Sequence, residues 1–202
     1  GRKNEVRVLY NNRTPPRENG ETQGCPCGEV YRIMSDEFVE LARKAVRTWV
    51  LEKRMIETPA PVPENMRGRA GVFVSIHEDG DLRGCIGTSL PTTVNIAREI
   101  IEMAIEACSQ DPRFMPVRPN ELDKLEINVD VLSLPESIDN VTQLDPKTYG
   151  VIVSRGPRRG LLLPDLEGID TAEQQVAIAR RKAGMYDDGP VQLQRFKVTR
   201  HT

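Results

Sequence analysis

The residues best able to do chemistry stand in one short run, Leu82-Arg83-Gly84-Cys85-Ile86-Gly87, which is called the signature run below. A positive charge favours the thiolate form of a cysteine, and the thiolate is the nucleophile. Cys85 with Arg83 beside it therefore predicts a reactive thiol, suited to acyl or alkyl transfer. The alternative is structural, because free cysteines are among the residues most often buried in sheets and cores. The residues alone leave both interpretations open.

The signature run is expected on the second strand of a β-hairpin, with strands over 71–76 and 82–86 and a turn near Gly80. A two-residue loop would place Arg83 among aliphatic side chains, and burying that charge is costly. We therefore predict a three-residue loop over 78–80, which pairs Phe73 with Cys85 and puts Arg83 and Cys85 on one face.

Glycines flank the cysteine at Gly84 and Gly87. They weaken a strand, so their presence indicates that a backbone or a ligand approaches it closely. We accordingly expect Gly84 and Gly87 to line a substrate site, and the register leaves Ile86 on the aliphatic face.

A catalytic thiol also needs a base. His77 would lie about 13 Å from Cys85 along the hairpin at ~3.4 Å per residue, so we place it in solvent at the hairpin tip, and His201 in a fraying tail. The best carboxylate is Asp111, in the run Asp111-Pro112-Arg113-Phe114, with Arg113 as a supporting residue. The alternative is that Asp111 initiates a turn and Arg113 caps a helix.

The surrounding pattern predicts an α+β domain. Residues 1–34 have no helical period and are interpreted as an extended arm or linker before a domain over 35–202. We predict helices beginning at Ser35, over 91–110 and over 171–183, with Thr171 and Gln174 as a capping box. We predict further strands over 125–132, 150–154 and 161–163, and an edge strand over 191–198. We find no internal repeat.

Composition narrows the function classes. Lys plus Arg number 28 against 30 Asp plus Glu, a net charge of −2, which gives no general reason to expect nucleic acid as a partner. The turn with Arg155, Arg158 and Arg159 could still bind phosphate, although such turns are usually solvated. No apolar run approaches the roughly 20 residues of a membrane span. The four cysteines do not resemble a disulfide framework or a metal site, so we expect a cytoplasmic protein without a cofactor.

Several motifs in order resemble the AMMECR domain family, named for the candidate gene of the AMME syndrome. The resemblance spans roughly residues 35–198. It is carried by the signature run, Asp111-Pro112-Arg113-Phe114, Gly150-Val151-Ile152-Val153, Gly160-Leu161-Leu162-Leu163-Pro164 and Lys182-Ala183-Gly184-Met185.

The resemblance implies two unequal α+β lobes, with hairpins packed against about three helices around a cleft. It implies that Arg83, Gly84, Cys85, Ile86 and Gly87 lie at that cleft, but it implies no established activity. Three hypotheses follow: an enzyme that uses Cys85; an interaction module whose partners are Memo-type or radical S-adenosylmethionine proteins; and a nucleic-acid-binding protein.

Overall fold

The computed structural model describes residues 36–202, and the predicted arm over 1–34 lies outside these residues. The three helices are α1 (Glu37–Glu52), α2 (Ile96–Ser109) and α3 (Ala172–Lys182). The strands are β1 (Val72–Glu78), β2 (Asp81–Gly87), β3 (Leu125–Leu132), β4 (Glu136–Ile138), β5 (Gly150–Arg155), β6 (Arg158–Leu162), β7 (Gln192–Phe196) and β8 (Val198–His201). No helix in the described part is long and apolar enough to cross a membrane.

The strands form two antiparallel sheets of four strands each. One has the order β2-β1-β3-β8 and, with α1 and α2, forms the first lobe. The other has the order β4-β7-β5-β6 and, with α3, forms the second lobe. The predicted α+β fold of two lobes and three helices is confirmed.

Three apolar clusters hold the layers together. One packs α1 and α2 against the face of the first sheet that carries Val72, Val74 and Ile76. A second, called the middle cluster, joins the opposite face of that sheet to the second sheet, and its buried members are Phe73, Cys85, Leu132, Ile152, Leu161, Leu163 and Phe196. The third packs α3 against the remaining face of the second sheet. The molecule is therefore layered as helix, sheet, sheet, helix.

The chain's last strands tie the two lobes to each other. β7 lies between β4 and β5 in the second sheet, and β8 follows after a single residue to pair with β3 in the first. The strand predicted over 191–198 is present as β7, but it is an inner strand and not an edge strand, and a further strand, β8, follows it. His201 pairs with Val129 within the sheet, and so the C-terminal segment is not frayed at that residue.

Each lobe contains the same hairpin–helix–strand unit. In the first, β1 and β2 are followed by α2 and by β3, which returns beside β1; in the second, β5 and β6 are followed by α3 and by β7, which returns beside β5. The runs Gly71-Val72-Phe73-Val74-Ser75 and Gly150-Val151-Ile152-Val153-Ser154 open the two units. The expectation of no internal repeat is corrected, because the repeat lies mainly in topology.

A glycine on the second hairpin strand lets the helix approach in both units. A Cβ atom on Gly84 would stand 2.2 Å from the carbonyl oxygen of Ala107 in α2, and one on Gly160 would stand 1.9 Å from that of Ala179 in α3. No side chain fits between strand and helix at either position. The glycines beside Cys85 indicated that a backbone or a ligand approaches the strand closely. At Gly84 the approaching group is the backbone of α2.

The helix boundaries depend on local caps. α1 is capped by Asp36, and Ser35 lies outside the described residues. α2 begins at Ile96 with Asn95 as N-cap, not at residue 91. The buried carboxylate of Glu99 explains the difference, because it accepts hydrogen bonds from the main-chain N–H groups of Thr92 and Thr93 and fixes them in a loop. The capping box predicted at the start of α3 is confirmed.

Gly84→Ala should lower the free energy of unfolding by about 3 kcal/mol, because the added methyl group overlaps main-chain atoms that cannot turn aside. Gly160→Ala should do the same in the second lobe. Gly68→Ala is the control, since a Cβ there would meet only a side-chain atom at 4.0 Å. Urea denaturation measures all three, and equal stabilities of Gly84→Ala and Gly68→Ala would contradict the packing account.

Candidate functional site

The hairpin that carries the signature run turns differently from the prediction. Asp79 and Gly80 both have positive φ, at 52° and 86°, which is the backbone of a two-residue loop. Ser75 is opposite Cys85, while Arg83 has no partner in the β1 register and forms a bulge between Leu82 and Gly84. The predicted three-residue loop and the pair Phe73–Cys85 were therefore wrong. The bulge absorbs the extra residue, so that a two-residue loop does not force Arg83 into the aliphatic core.

Cys85 lies in the middle cluster and is 1% exposed. It shares its sheet face with Phe73, as predicted, and contacts the apolar side chains that join the two sheets. The thiol is thus sealed where the lobes meet. Ile86, the next residue, points to the opposite face and packs among the aliphatic residues beneath α2.

Arg83 binds away from that cluster. Its Nε donates to Glu121 Oε1 at 2.7 Å, and its Nη1 donates to the carbonyl oxygen of Met115 at 2.8 Å. The guanidinium lowers the pKa of Glu121. The bulge and these bonds direct the Arg83 guanidinium to the loop after α2, so the predicted placement of Arg83 on one face with Cys85 was wrong. The assistance of the Cys85 thiol by Arg83 stays a prediction.

Asp111 binds the main chain of Cys85. Its Oδ2 accepts the Cys85 N–H at 2.9 Å, and each of its two oxygens also accepts from the Arg113 guanidinium, at 2.7 and 3.0 Å. Burial acts to raise the pKa of Asp111, but the hydrogen bonds from Arg113 and Cys85 outweigh it and lower the pKa. A carboxylate so fully occupied is a poor general base.

Arg113 completes the same contact. Its Nη2 reaches the carbonyl oxygen of Cys85 at 3.4 Å, so that Asp111 and Arg113 together engage both main-chain groups of one residue. β2 is an edge strand, and an unpaired edge is a template for pairing with other chains. The pair closes this edge at Cys85. The alternative that Asp111 initiates a turn is confirmed, because its Oδ1 accepts the Arg113 N–H at 3.0 Å and its carbonyl oxygen accepts the Phe114 N–H at 3.1 Å. The contact with the strand edge is an additional role of the same carboxylate.

The remaining glycine of the signature run is also explained by packing. A Cβ on Gly87 would stand 2.3 Å from the ring of Phe73. Gly84 faces α2 and Ile86 is in the core beneath it. The three residues expected at a substrate site or at the cleft therefore contact protein.

Lys182, the last residue of α3, is a site residue that the chemistry of the signature run did not suggest. Desolvation lowers its pKa, while a thiolate at Cys85 would raise it and Arg113 lowers it, which places the ammonium group within electrostatic reach of both. The signal was present in the sequence, because Lys182 opens the motif Lys182-Ala183-Gly184-Met185. Two cations, one from each lobe, thus lie near the sealed thiol.

The two histidines lie apart from Cys85's charged neighbours. His77 is 6% exposed, and burial lowers its pKa, so its predicted position in solvent was wrong. His201 stacks on the ring of Phe38 at 3.9 Å and lies 2.7 Å from Asp36 Oδ2. His201 therefore fastens β8 to the start of α1.

The other described cysteine is Cys108. Cys108 is buried in α2, and burial raises the pKa of its thiol to about 12. Among residues 36–202, no three His, Cys, Asp or Glu side chains are grouped to hold a metal ion. Cys25 and Cys27 lie outside that range.

The three arginines of the β5–β6 turn do not form one basic surface. Arg155 makes a two-pronged ion pair with Asp187, at 2.6 and 2.7 Å, and Arg158 donates to the carbonyl oxygen of Gly184. Arg159 lies on the other side of its strand and donates to Gln194 Oε1 at 3.2 Å.

Fold and site define a class: a four-layer α+β protein in which a cysteine lies between two sheets, an Asp-Pro-Arg motif binds the main chain of that cysteine at a sheet edge, and a lysine ends the helix of the second lobe. A family model described as AMMECR1 matches residues 39–201, and the chain belongs to that family.

Relatives support the same assignment. A Thermotoga maritima protein is 51% identical over 167 residues, which are 81% of this chain and 96% of that protein. A Clostridium acetobutylicum protein is 49% identical over 168 residues, 82% of this chain but only 36% of that longer protein. The crystal structure of "Uncharacterized Protein PH0010" from Pyrococcus horikoshii matches with a TM-score of 0.72 and 31% identity, covering 81% of this chain and 88% of that one.

Asp111→Asn should lower the free energy of unfolding by about 2 kcal/mol at pH 7, since it removes the charge from hydrogen bonds to Arg113 and Cys85. The folded-state pKa of Asp111 lies below its ordinary value of 3.8. Its stabilisation is therefore complete above that value and is lost as pH falls through the folded-state pKa.

The stability difference between wild type and Asp111→Asn should accordingly shrink as urea titrations are stepped from pH 7 toward acid. Asp123→Asn, at an exposed carboxylate, is the control and should change stability little at any pH. A difference for Asp111→Asn that stays constant down to the lowest pH would contradict the assignment.

Proposed function

We propose that this chain is a non-catalytic interaction module that docks a partner protein where its two lobes meet. The observation that carries the proposal is that large apolar side chains are exposed in the segments that follow Arg113 and Lys182: Met115 is 73% exposed and Tyr186 is 84% exposed. Met115 follows Arg113 by two residues and Tyr186 follows Lys182 by four. Arg113, Met115, Lys182 and Tyr186 are called the docking surface below.

The position of the surface is supported by the contacts beneath it. Arg83 binds the Met115 carbonyl and Arg113 is fixed by Asp111, so the first-lobe half stands on a rigid support. Lys182 ends α3, whose preceding turn packs against β6. A preformed surface loses little conformational entropy on binding, which favours docking.

The contacts of the signature run and of Asp111 support a structural role for these residues. Cys85 is sealed, Arg83 is bound to Glu121, and both oxygens of Asp111 are occupied. In the proposed module Arg83 and Asp111 hold the loop of the docking surface against β2, and Cys85 packs between the sheets.

The chemistry of the surface indicates the kind of partner. Exposed Met and Tyr side chains bury well against apolar pockets, and the two cations favour a carboxylate on the facing protein. The Memo-type and radical S-adenosylmethionine proteins that the family resemblance implies are the first partners to test.

Tyr186→Ser and Met115→Ser should each weaken co-purification with such a partner by about tenfold or more, because exposed aromatic and Met anchors commonly dominate interfaces. Val94→Ser is the matched control, since Val94 is equally exposed but lies in the loop before α2. Cys85→Ser should bind like wild type. Undiminished binding by the double variant Met115→Ser/Tyr186→Ser would refute the proposal.

A second candidate function is thiol chemistry at Cys85. It is favoured by one observation: Arg113 and Lys182 are both close enough for their charges to be coupled to this sulfur. Two cations would stabilise a thiolate whenever the lobes separate enough to admit a reagent.

Alkylation by iodoacetamide, resolved by peptide mass spectrometry, distinguishes the two candidates. An interaction module should label at Cys85 as slowly as at Cys108 under native conditions, since both are buried. A thiol enzyme should label far faster at Cys85 than at Cys108, and Lys182→Met should slow that labelling. Equal rates at the two cysteines, unaffected by Lys182→Met, would exclude thiol chemistry.

A further inference from the structure

Arg159 lies on the face of the second sheet that points toward the first. Leu161, two residues further along β6, is on the same face and belongs to the middle cluster. β5 lies between β6 and β7, so the hydrogen bond from Arg159 Nη2 to Gln194 Oε1 carries the guanidinium across β5. The Arg159 side chain therefore lies flat on the sheet. It lies beside Ser154, the ladder partner of Arg159, and Ile152, the ladder partner of Gln194.

This guanidinium has no counter-charge. Within residues 36–202 it forms no ion pair, and its Nε is buried without a hydrogen-bond partner. Other half-buried arginines of the chain are neutralised by a carboxylate: Arg83 by Glu121, Arg113 by Asp111 and Arg195 by Glu136. A partly desolvated cation without a counter-charge makes folding less favourable, and desolvation lowers the pKa of Arg159. Charged side chains in such an unfavourable environment are common at functional sites, where a ligand supplies the missing charge.

A cavity adjoins the same strand end. It has a volume of about 420 Å³ and is lined by Ser154, Arg155, Gly156, Pro190, Val191 and Gln192. Ser154 is opposite Arg159 in the β5–β6 ladder, and Gln192 is opposite Ser154 in the β5–β7 ladder. The lining contains no acidic side chain, and Arg155 is already paired with Asp187. Among the described residues Arg158 also lacks an ion pair, but it is exposed and lies on the opposite face, so the half-buried uncompensated charge at this end of the sheet is that of Arg159.

We propose that an oxyanion, the carboxylate or phosphate of a small molecule, binds at this strand end. The Arg159 guanidinium, opposite Ser154 in the ladder, supplies the charge, and the Ser154 hydroxyl and Gln192 amide, which line the cavity, complete the site. A guanidinium offers two parallel N–H donors to such a group, which suits both oxyanions. The site is separate from the docking surface and stands whether or not a protein docks there.

Titration calorimetry with inorganic phosphate and, separately, with acetate tests the site on the full chain. Arg159→Gln should weaken binding of the preferred anion by about tenfold or more, because a neutral amide cannot replace the charge-assisted pair. Arg158→Gln is the matched control: Arg158 is the neighbouring residue, lies on the opposite face and should leave the affinity unchanged. The anion with the lower dissociation constant identifies phosphate or carboxylate as the ligand chemistry.

Stability without ligand gives a second readout. If Arg159 is kept for a ligand, Arg159→Met should raise the urea midpoint of the ligand-free chain, since it removes an unneutralised buried cation. If Arg159 only stabilises the fold, Arg159→Met should lower the urea midpoint. The proposal is overturned if Arg159→Met lowers the midpoint, or if wild type and Arg159→Gln bind both anions equally or not at all.

Discussion

The hydrogen bonds between one carboxylate and one strand edge underlie the rest of this structure. Asp111 accepts the main-chain N–H of Cys85 and holds Arg113 against the carbonyl of the same residue. β2 is thereby closed at its free edge without a further strand. The loop after α2 is fixed in consequence, and Arg83 attaches it a second time through Glu121. The position of every residue on the first-lobe side of the docking surface depends on these two ion pairs.

The cysteine between the sheets follows from the same geometry. With the edge of β2 occupied by Asp111 and Arg113, the side chain of Cys85 is directed into the middle cluster, opposite the apolar face of the second sheet. A small side chain fits where two sheets approach each other, and a thiol packs as a weakly polar group of that size. The motif thus has a physical reason that needs no reaction, although the nearby charges of Arg113 and Lys182 would tune the sulfur if it were uncovered.

Local signals in the sequence predicted much of the fold. The apolar stripe of α1, the capping box at Thr171 and the alternation over β3 each fix an element by short-range contacts. The site could not be predicted as well, because it depends on long-range pairing. The bulge at Arg83 changes which face the guanidinium occupies, and its partner Glu121 lies 38 residues away. The burial of Glu99, which delays the start of α2, is likewise invisible in a helical periodicity.

The repeated hairpin–helix–strand unit shows where the two lobes differ in chemistry. Each unit places an Arg-Gly pair on its second strand, and each glycine admits a helix carbonyl. The arginine of the first unit, Arg83, sits at a bulge and finds Glu121; the arginine of the second, Arg159, stays in a regular ladder and finds only an amide. Close packing of a helix explains Gly84 and Gly160, and the ion pair with Glu121 explains Arg83. Neither explains a half-buried guanidinium without a counter-charge, since a carboxylate partner for Arg159 or an apolar residue in its place would be less costly. The asymmetry between two otherwise similar units is therefore the reason for placing the proposed oxyanion site in the second lobe, away from Cys85.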